Sequence, residues 1–224
     1  MNTMVRLLLS TILIWMVFTG SLSAQVMKNA EGVLCANGFE LHNLAIEGEL
    51  IYAGGPGKDG IPALKKPDFL TAERQQFLAD DEYIVGVYHN GEAKAYPVRI
   101  LNYHEVINDQ FGEDKEAVVV TYSPLCASGR AFRAEVDGKE QEFAVSGLVF
   151  NNNLLFYDRK TESVWSQLKG QAVAGRESGR QLDPVRTEMT TWGDWKSRFP
   201  ETKVLSHRTG FDRNYEVDPY YSIT

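Results

Sequence analysis

The sequence predicts a mostly β fold of the α+β class, in which antiparallel hairpins surround one core and a few short helices complete it. Two dipeptides typical of two-residue hairpin turns, Asn90-Gly91 and Asp137-Gly138, each lie between segments rich in β-branched and aromatic residues. Apolar and charged residues alternate over residues 132–136, which indicates a strand with one buried face. Residues 117–122 are almost continuously apolar, as expected for a strand buried on both faces.

A third hairpin and a short helix are predicted from local signals. The hairpin covers residues 154–168 and turns near residues 159–162, where charged residues interrupt two apolar runs. The helix covers residues 71–79 and begins at Thr71, a residue type that caps helix N-termini.

A second short helix is predicted near the end of the chain. Thr191 and Asp194 have the spacing of a capping box, and Pro200 stops the helix. Trp192 and Trp195 would lie on the same helical face, which we expect to be buried in the core.

The first residues indicate export. Arg6 precedes an apolar run over residues 7–18, and small residues lead to a cleavage point after Ala24, so we interpret residues 1–24 as a signal peptide. The alternative is an uncleaved membrane anchor, but the run is shorter than the roughly 20 residues that a span needs. We expect an N-terminal arm over residues 25–46, one globular domain over residues 47–224, and a periplasmic or secreted protein.

The charge of the chain limits its partners. The 224 residues carry a formal net charge of −7, and no basic stripe with interleaved aromatic residues is present. An acidic exported protein is poorly suited to bind nucleic acid or anionic lipid, and no span is expected after signal cleavage. The partners that remain are a small molecule, a metal or a periplasmic protein.

The chain has two cysteines, Cys35 and Cys126. An oxidising compartment would allow them to pair as a structural disulfide. Alternatively, Cys126 remains a free thiol, since its loop follows the buried strand that ends near Tyr122 and loops at strand ends often carry function. A thiolate there could be a nucleophile, a redox centre or a soft-metal ligand.

His104 is the histidine that we consider as a partner of Cys126. It could be the catalytic base for the thiol or a second metal ligand, with Glu105 or Asp109 orienting it. The alternative is a buried histidine with satisfied hydrogen bonds. Two cysteines and four histidines without short ligand spacings argue against structural zinc, whereas a copper-like soft metal would need few ligands and stays open.

Five further residues are candidates for contact with a cofactor or small ligand. Arg99, Tyr122 and Ser123 are expected near the thiol, and Asp158 and Trp165 belong to a polar hairpin that could line a cleft. The alternative for the hairpin residues, which include Gln167, is a role in the turn or at the surface.

Several separate stretches, in the same order along the chain, resemble the bacterial family catalogued as domain of unknown function 3179. They lie between about residues 47 and 215, and they include G-G-P-G-K-D-G-I-P-A (54–63), G-E-A-K-A-Y-P-V-R-I-L-N-Y-H-E-V-I-N-D (91–109), V-V-V-T-Y-S-P-L-C-A-S (118–128), V-S-G-L-V-F-N-N-N-L-L-F-Y-D-R-K-T-E-S-V-W-S-Q-L-K-G (145–170), T-T-W-G-D-W (190–195) and V-L-S-H-R-T-G-F-D-R-N-Y (204–215). The resemblance implies no established activity.

The resemblance does imply a C-P-L-C motif, because family members commonly read T-Y-C-P-L-C-G-S over residues 121–128. Here the first cysteine is Ser123, the glycine is Ala127, and the second cysteine is kept as Cys126. A serine cannot resolve a mixed disulfide. If the family's chemistry is dithiol exchange, this chain has lost it, works through one thiol or uses Cys35 instead.

Three hypotheses follow for function. The first is a thiol-centred site at Cys126 and His104 for redox chemistry or soft-metal handling. The second is a binding module without catalysis, stapled by a disulfide between Cys35 and Cys126. The third is an enzyme in which Cys126 is the nucleophile and His104 its base.

Overall fold

The computed structural model describes residues 26–221, which form a mostly β fold as the sequence predicts. The expected signal peptide lies outside these residues. The strands are β1 (Met27–Lys28), β2 (Leu34–Ala36), β3 (Phe39–Leu41), β4 (Ile51–Ala53), β5 (Leu64–Lys65), β6 (Phe69–Thr71), β7 (Tyr83–His89), β8 (Glu92–Pro97), β9 (Val106–Phe111), β10 (Glu116–Ser123), β11 (Ser128–Arg133), β12 (Glu135–Val136), β13 (Lys139–Glu140), β14 (Phe143–Phe150), β15 (Asn153–Asp158), β16 (Val164–Ser166), β17 (Gln171–Ala174), β18 (Pro184–Thr191) and β19 (Lys203–Leu205). The helices are α1 (Val98–His104) and α2 (Trp192–Arg198).

A nine-stranded sheet and a five-stranded sheet hold most of these strands. The larger sheet has the order β5-β9-β10-β11-β18-β7-β8-β19-β6, and the smaller one has the order β17-β16-β15-β14-β4. Neighbouring strands are antiparallel, except that β5 runs parallel to β9 and β19 runs parallel to β8. Strands β1 to β3 form a third sheet, whose Phe39 and Leu41 pack on the five-stranded sheet.

The nine-stranded sheet curls around a cluster of buried side chains. Val87 on β7 and Val120 on β10 come from opposite halves of the sheet, and Leu101 on α1 packs with them. The outer face of β10 packs against the five-stranded sheet through Val119 and Phe156. Both faces of β10 are therefore buried, which confirms the expectation for its apolar run.

The predicted hairpins are confirmed. Asn90 and Gly91 both have positive φ and join β7 to β8, and Asp137 and Gly138 join β12 to β13 in the same way. The third hairpin joins β15 to β16.

The predicted helix near the end of the chain is confirmed as α2. The hydroxyl of Thr191 accepts a hydrogen bond from the backbone N–H of Asp194, and Trp192 and Trp195 are fully buried. A side chain at Gly86 would bring its Cβ within 2.5 Å of the Trp195 ring, so the glycine lets α2 lie directly on β7.

The helix predicted over residues 71–79 is wrong. Thr71 is the last residue of strand β6 and pairs with Lys203 of β19. A turn follows Thr71. The side-chain oxygen of Gln75 accepts hydrogen bonds from the backbone N–H groups of Phe77 and Leu78. These local bonds take the place of helical ones, a competition that the sequence pattern does not reveal.

Within residues 26–221, no helix combines the length and the apolar character needed to cross a membrane.

Candidate functional site

Cys126 lies in the hairpin that joins β10 to β11, where the nine-stranded sheet meets the start of β15. Strand β10 ends at Ser123, which pairs with Ser128, and a single 3-10 turn over Pro124–Cys126 fills the loop. Ala127 closes the loop in the left-handed conformation, with φ 46° and ψ 45°. The loop is short and pinned at both ends, so the exposed thiol has a fixed position.

A polar network surrounds the sulfur. The side-chain amide of Asn153 donates to Cys126 Sγ at 3.2 Å, and Ser128 Oγ lies 3.0 Å from the same sulfur. Gln167 holds both partners, because its Oε1 accepts from Asn153 Nδ2 at 2.7 Å and from Ser128 Oγ at 3.1 Å. The Nε2 of Gln167 donates to the backbone carbonyl of Ser128 at 2.8 Å, which fixes the orientation of its amide.

This network changes the acidity of Cys126. Partial burial acts to raise the thiol pKa, but hydrogen bonds from Ser123, Ser128 and Asn153 outweigh burial, so the pKa is lowered from its ordinary value. A thiolate sulfur only accepts hydrogen bonds, and the Asn153 amide donates to it, while the single hydroxyl proton of Ser128 can turn from Gln167 Oε1 to the sulfur. The network therefore raises the thiolate fraction of Cys126 above that of an ordinary thiol, and no basic side chain of residues 26–221 contributes to this shift.

The alternative of a disulfide between Cys35 and Cys126 is not supported, because both thiols are free in the structure. Cys35 lies on β2 in the small three-stranded sheet and contacts the backbone oxygen of Val33. Cys126 instead contacts residues of β11 and β15.

His104 does not form a hydrogen bond with Cys126 in the described part of the chain. It lies at the end of α1 with no exposed surface. Its Nδ1 lies 2.7 Å from the carbonyl oxygen of Pro62, which can only accept, so Nδ1 carries the proton. Nε2 then accepts from the hydroxyl of Tyr215, also at 2.7 Å. Burial lowers the pKa of His104, which keeps the ring neutral, and both nitrogens are occupied.

His104 belongs instead to a set of α1 residues that hold the segment formed by residues 209–221, here called the C-terminal segment. Arg99 forms an ion pair with Glu216, and the hydroxyl of Tyr103 donates to the carbonyl oxygen of Asn214. The next contacts are between Asn102 and Asp218, between His104 and Tyr215, and between Glu105 and Tyr220. The conspicuous polar run around His104 therefore docks the C-terminal segment.

Glu105 differs from its neighbours because its side chain reaches a cavity at the thiol loop. Its backbone has φ 55° and ψ −33°, an uncommon conformation for a residue other than glycine, at the point where α1 turns into β9. Glu105 is 6% exposed, and its carboxyl accepts a hydrogen bond from Tyr220 at 2.6 Å. Burial is the larger influence and raises the pKa of Glu105 to about 7, although the Tyr220 hydrogen bond acts in the opposite direction.

Tyr122 and Ser123 lie closest to the thiol among the remaining predicted site residues. Burial raises the pKa of Tyr122 to about 12, and negative charge at Asp218 and Cys126 adds to the rise. Ser123 is buried, and its Oγ accepts from the backbone N–H of Leu154 at 3.1 Å. Both residues are thus placed beside Cys126 by the strand that precedes it.

Arg99, Asp158 and Trp165 make contacts elsewhere in the structure. Arg99 pairs with Glu82 in addition to its ion pair with the C-terminal segment. Asp158 accepts from the indole N–H of buried Trp165 at 3.1 Å and from Thr161. The carboxylate of Asp158 therefore organises the β15–β16 turn.

A soft-metal site at Cys126 and His104 finds no further support in the geometry. The described residues contain no group of three or more His, Cys, Asp or Glu side chains arranged to hold a metal ion. The hydrogen bonds of His104 also leave no ring nitrogen for a metal.

Two residues of the sulfur network, Ser128 and Asn153, were not predicted from the sequence. Ser128 lies only two residues from Cys126, and a serine beside an unpaired cysteine was a usable signal. Asn153 follows a turn with two positive-φ asparagines, Asn151 and Asn152, and the sequence does not distinguish it from those turn residues. Gln167 belongs to the polar hairpin that the sequence predicts, and the structure joins it to the thiol loop.

Fold and site together define a mostly β protein with a single exposed thiol at a hairpin end. The chain matches, over residues 58–224, a family described as a protein of unknown function, DUF3179. The match covers well over half of the chain, so the chain belongs to this family, as its motifs predict. Comparisons with curated proteins and with solved structures found no match.

Proposed function

We propose that this protein is a monothiol exchange protein, in which Cys126 forms transient mixed disulfides with a thiol-containing partner. One observation carries the proposal: the exposed sulfur lies within 3.2 Å of an amide donor, Asn153, and within 3.0 Å of a hydroxyl, Ser128. These groups stabilise a thiolate, which is the form that attacks disulfides. The expected export of the chain would supply an oxidising compartment with disulfide partners.

The chemical step involves one protein sulfur. The thiolate of Cys126 attacks one sulfur of a disulfide R–S–S–R, an S–S bond forms to that sulfur, and the other leaves as a thiolate that takes a proton from water. Ser123 faces Cys126 closely enough to lower the thiol pKa, but its oxygen cannot resolve the mixed disulfide. An external thiol must therefore release the partner. Thiol redox is favoured over metal handling because the thiol lacks the second ligand that His104 was expected to supply.

The first test uses bis(hydroxyethyl) disulfide, a neutral probe, and a Cys35→Ser variant in which Cys126 is the remaining thiol. Intact mass should show one hydroxyethylthio adduct, which a small thiol removes. The rate of adduct formation plotted against pH should have a midpoint below about 8.5, the value of an unperturbed thiol. The proposal is refuted if this midpoint is at or above about 8.5. It is also refuted if Cys126 does not react with the probe while Cys35, in a Cys126→Ser variant, does react.

A second test addresses the role of a single thiol. Ser123→Cys in the same background should let the new thiol displace the probe, so that the adduct disappears and the protein loses two hydrogens as an internal disulfide forms. Ser197→Cys, on the exposed part of α2, is the matched control and should carry two stable adducts. If the Ser123→Cys variant keeps its adducts as the control does, Ser123 does not face the reacting sulfur and the monothiol interpretation is wrong.

A further inference from the structure

Glu105 has fewer partners than the other buried acids of residues 26–221. Asp109 forms a buried ion pair with Lys94 at 3.0 Å and accepts from Tyr96 at 2.6 Å. Asp158 accepts from Trp165 and Thr161. Glu105 accepts only from Tyr220, through Oε1, and no cationic side chain of the described residues lies within ion-pair distance of it. Its Oε2 therefore has no protein partner.

Glu105 lines a cavity of about 30 Å³. The cavity also has on its walls Tyr220, the loop residues Ser123, Pro124 and Leu125, and apolar side chains that include Leu154. This volume holds about two water-sized groups. Leu125 is exposed at the rim, so a small group of a larger ligand can enter while the rest stays outside.

Negative charge lies near the cavity. Asp218 acts on Tyr220, which lines the cavity, and on Tyr122 of β10: burial is the main cause that raises the pKa of both tyrosines, and negative charge at Asp218 adds to both shifts. Negative charge at Glu105 acts on Tyr220, and at Cys126 on Tyr122, in the same direction. Asp218 forms no ion pair with another described residue and accepts instead from Asn102. Glu105, by contrast, is buried, and a cationic ligand would supply the counter-ion that its carboxylate lacks among the described residues.

We propose that this cavity binds a primary ammonium group, with the carboxylate of Glu105 as its counter-ion. A primary ammonium has three N–H donors on one compact centre, and one of them would fill the unpartnered position at Oε2. The apolar walls suit the carbon attached to the nitrogen. The ligand class is a small primary amine, or the amino group of a larger molecule. This binding site is separate from the proposed thiol exchange at Cys126, and the proposal does not depend on that exchange.

The test is a titration of the full protein with methylammonium chloride at about pH 8, observed through the side-chain carbons of labelled glutamates. The Glu105 resonance should shift and saturate. Because burial holds the pKa of Glu105 at about 7, methylammonium should bind about tenfold more weakly at pH 6 than at pH 8. Tetramethylammonium, which has no N–H and is too large for the cavity, should produce no saturable shift at matched ionic strength.

Two variants complete the design. Glu105→Gln keeps the shape of the side chain and should abolish saturable binding, observed through the resonances of Tyr220. Glu113→Gln removes one negative charge from an exposed loop and should bind methylammonium like the wild type. The proposal is overturned if methylammonium and tetramethylammonium shift the wild-type Glu105 resonance alike, or if neither shifts it. It is also overturned if a folded Glu105→Gln protein still binds methylammonium.

Discussion

The thiol loop around Cys126 and the end of α1 around His104 both carry polar residues, yet they use them differently. At the thiol loop, Asn153 and Ser128 contact an exposed sulfur, and Gln167 contacts both of them. At the end of α1, Asn102 and His104 are buried and each is joined to the C-terminal segment, His104 through Tyr215 and Asn102 through Asp218. Polar side chains with all their bonding capacity used stabilise a fold, whereas an exposed sulfur with donors aimed at it is available for chemistry.

The largest difference between the two regions is expected from His104→Ala, which should lower the stability of the fold without changing the reactivity of Cys126. The change removes two buried hydrogen bonds, to Pro62 and Tyr215, and leaves a cavity at a fully buried position. The free energy of unfolding in urea should fall by about 4 kcal/mol. In the protein that remains folded, the reactivity of Cys126 should be unchanged, because His104 is not its base.

Two controls sharpen this prediction. His104→Asn keeps a donor near the position of Nδ1 and should recover about 1 kcal/mol of the loss. His42→Ala changes a half-exposed histidine that pairs with Glu40, and it should cost less than about 1 kcal/mol. A large fall in thiol reactivity of folded His104→Ala protein would show that the two regions act together.

A second large effect concerns pH and Glu105. Its pKa is about 7 in the folded protein against 4.5 for an ordinary glutamate, so the folded state keeps the proton longer than the unfolded state. The contribution of Glu105 to stability is complete below about pH 4.5 and is lost as the pH rises through about 7. The loss of this contribution lowers the free energy of unfolding by roughly 3 kcal/mol.

Glu105→Gln removes this titration. The variant should therefore gain stability relative to the wild type as the pH rises from about 5 to 8, by up to roughly 3 kcal/mol. The measurement is urea unfolding of both proteins at several pH values. Parallel curves for the two proteins would mean that the carboxyl is solvated, which would also weaken the case for an ammonium site.

Several parts of this picture could be predicted from the sequence, because their causes are local. The turn at Asn90-Gly91, the cap at Thr191 and the loop position of Cys126 each depend on residues within a few positions of one another. The role of His104 depends on Tyr215, which lies 111 positions along the chain. Sequence adjacency to Glu105 made His104 look functional, and only the path of the C-terminal segment explains it.

The hydrogen bonds around the Cys126 sulfur also depend on residues that are far apart in the chain. Asn153 reaches the sulfur because β15 begins beside the β10–β11 hairpin, a contact between two sheets. Hydrophobic alternation predicts which strands exist, but it does not fix which strand ends meet. The residues nearest to Cys126 in the chain could be predicted, whereas the contact of Asn153 from β15 with the sulfur, and the support of Asn153 by Gln167, could not.

A smaller effect is expected from Asn153→Asp, which replaces the donor to the sulfur by a negative charge of the same shape. The thiol pKa should rise by about one unit. At pH 7 the thiolate fraction falls about tenfold, but the less acidic thiol is the better nucleophile, so exchange should slow only about threefold. The matched control is Asn151→Asp, which adds a charge in the exposed turn before β15 and should shift the pKa less. Equal shifts in both variants would indicate a general charge effect.

The smallest expected effect tests the backbone of the thiol loop. Ala127 has φ 46°, a conformation that costs an alanine about 1 kcal/mol and a glycine almost nothing. Glycine also gives the unfolded chain more freedom, so Ala127→Gly should raise the free energy of unfolding by only about 0.5 kcal/mol. Ala79→Gly, at an exposed position with ordinary φ, should lower it by about 0.5–1 kcal/mol. Opposite signs in the two variants would show that the loop holds Ala127 under strain while it presents Cys126, and equal losses would show that it does not.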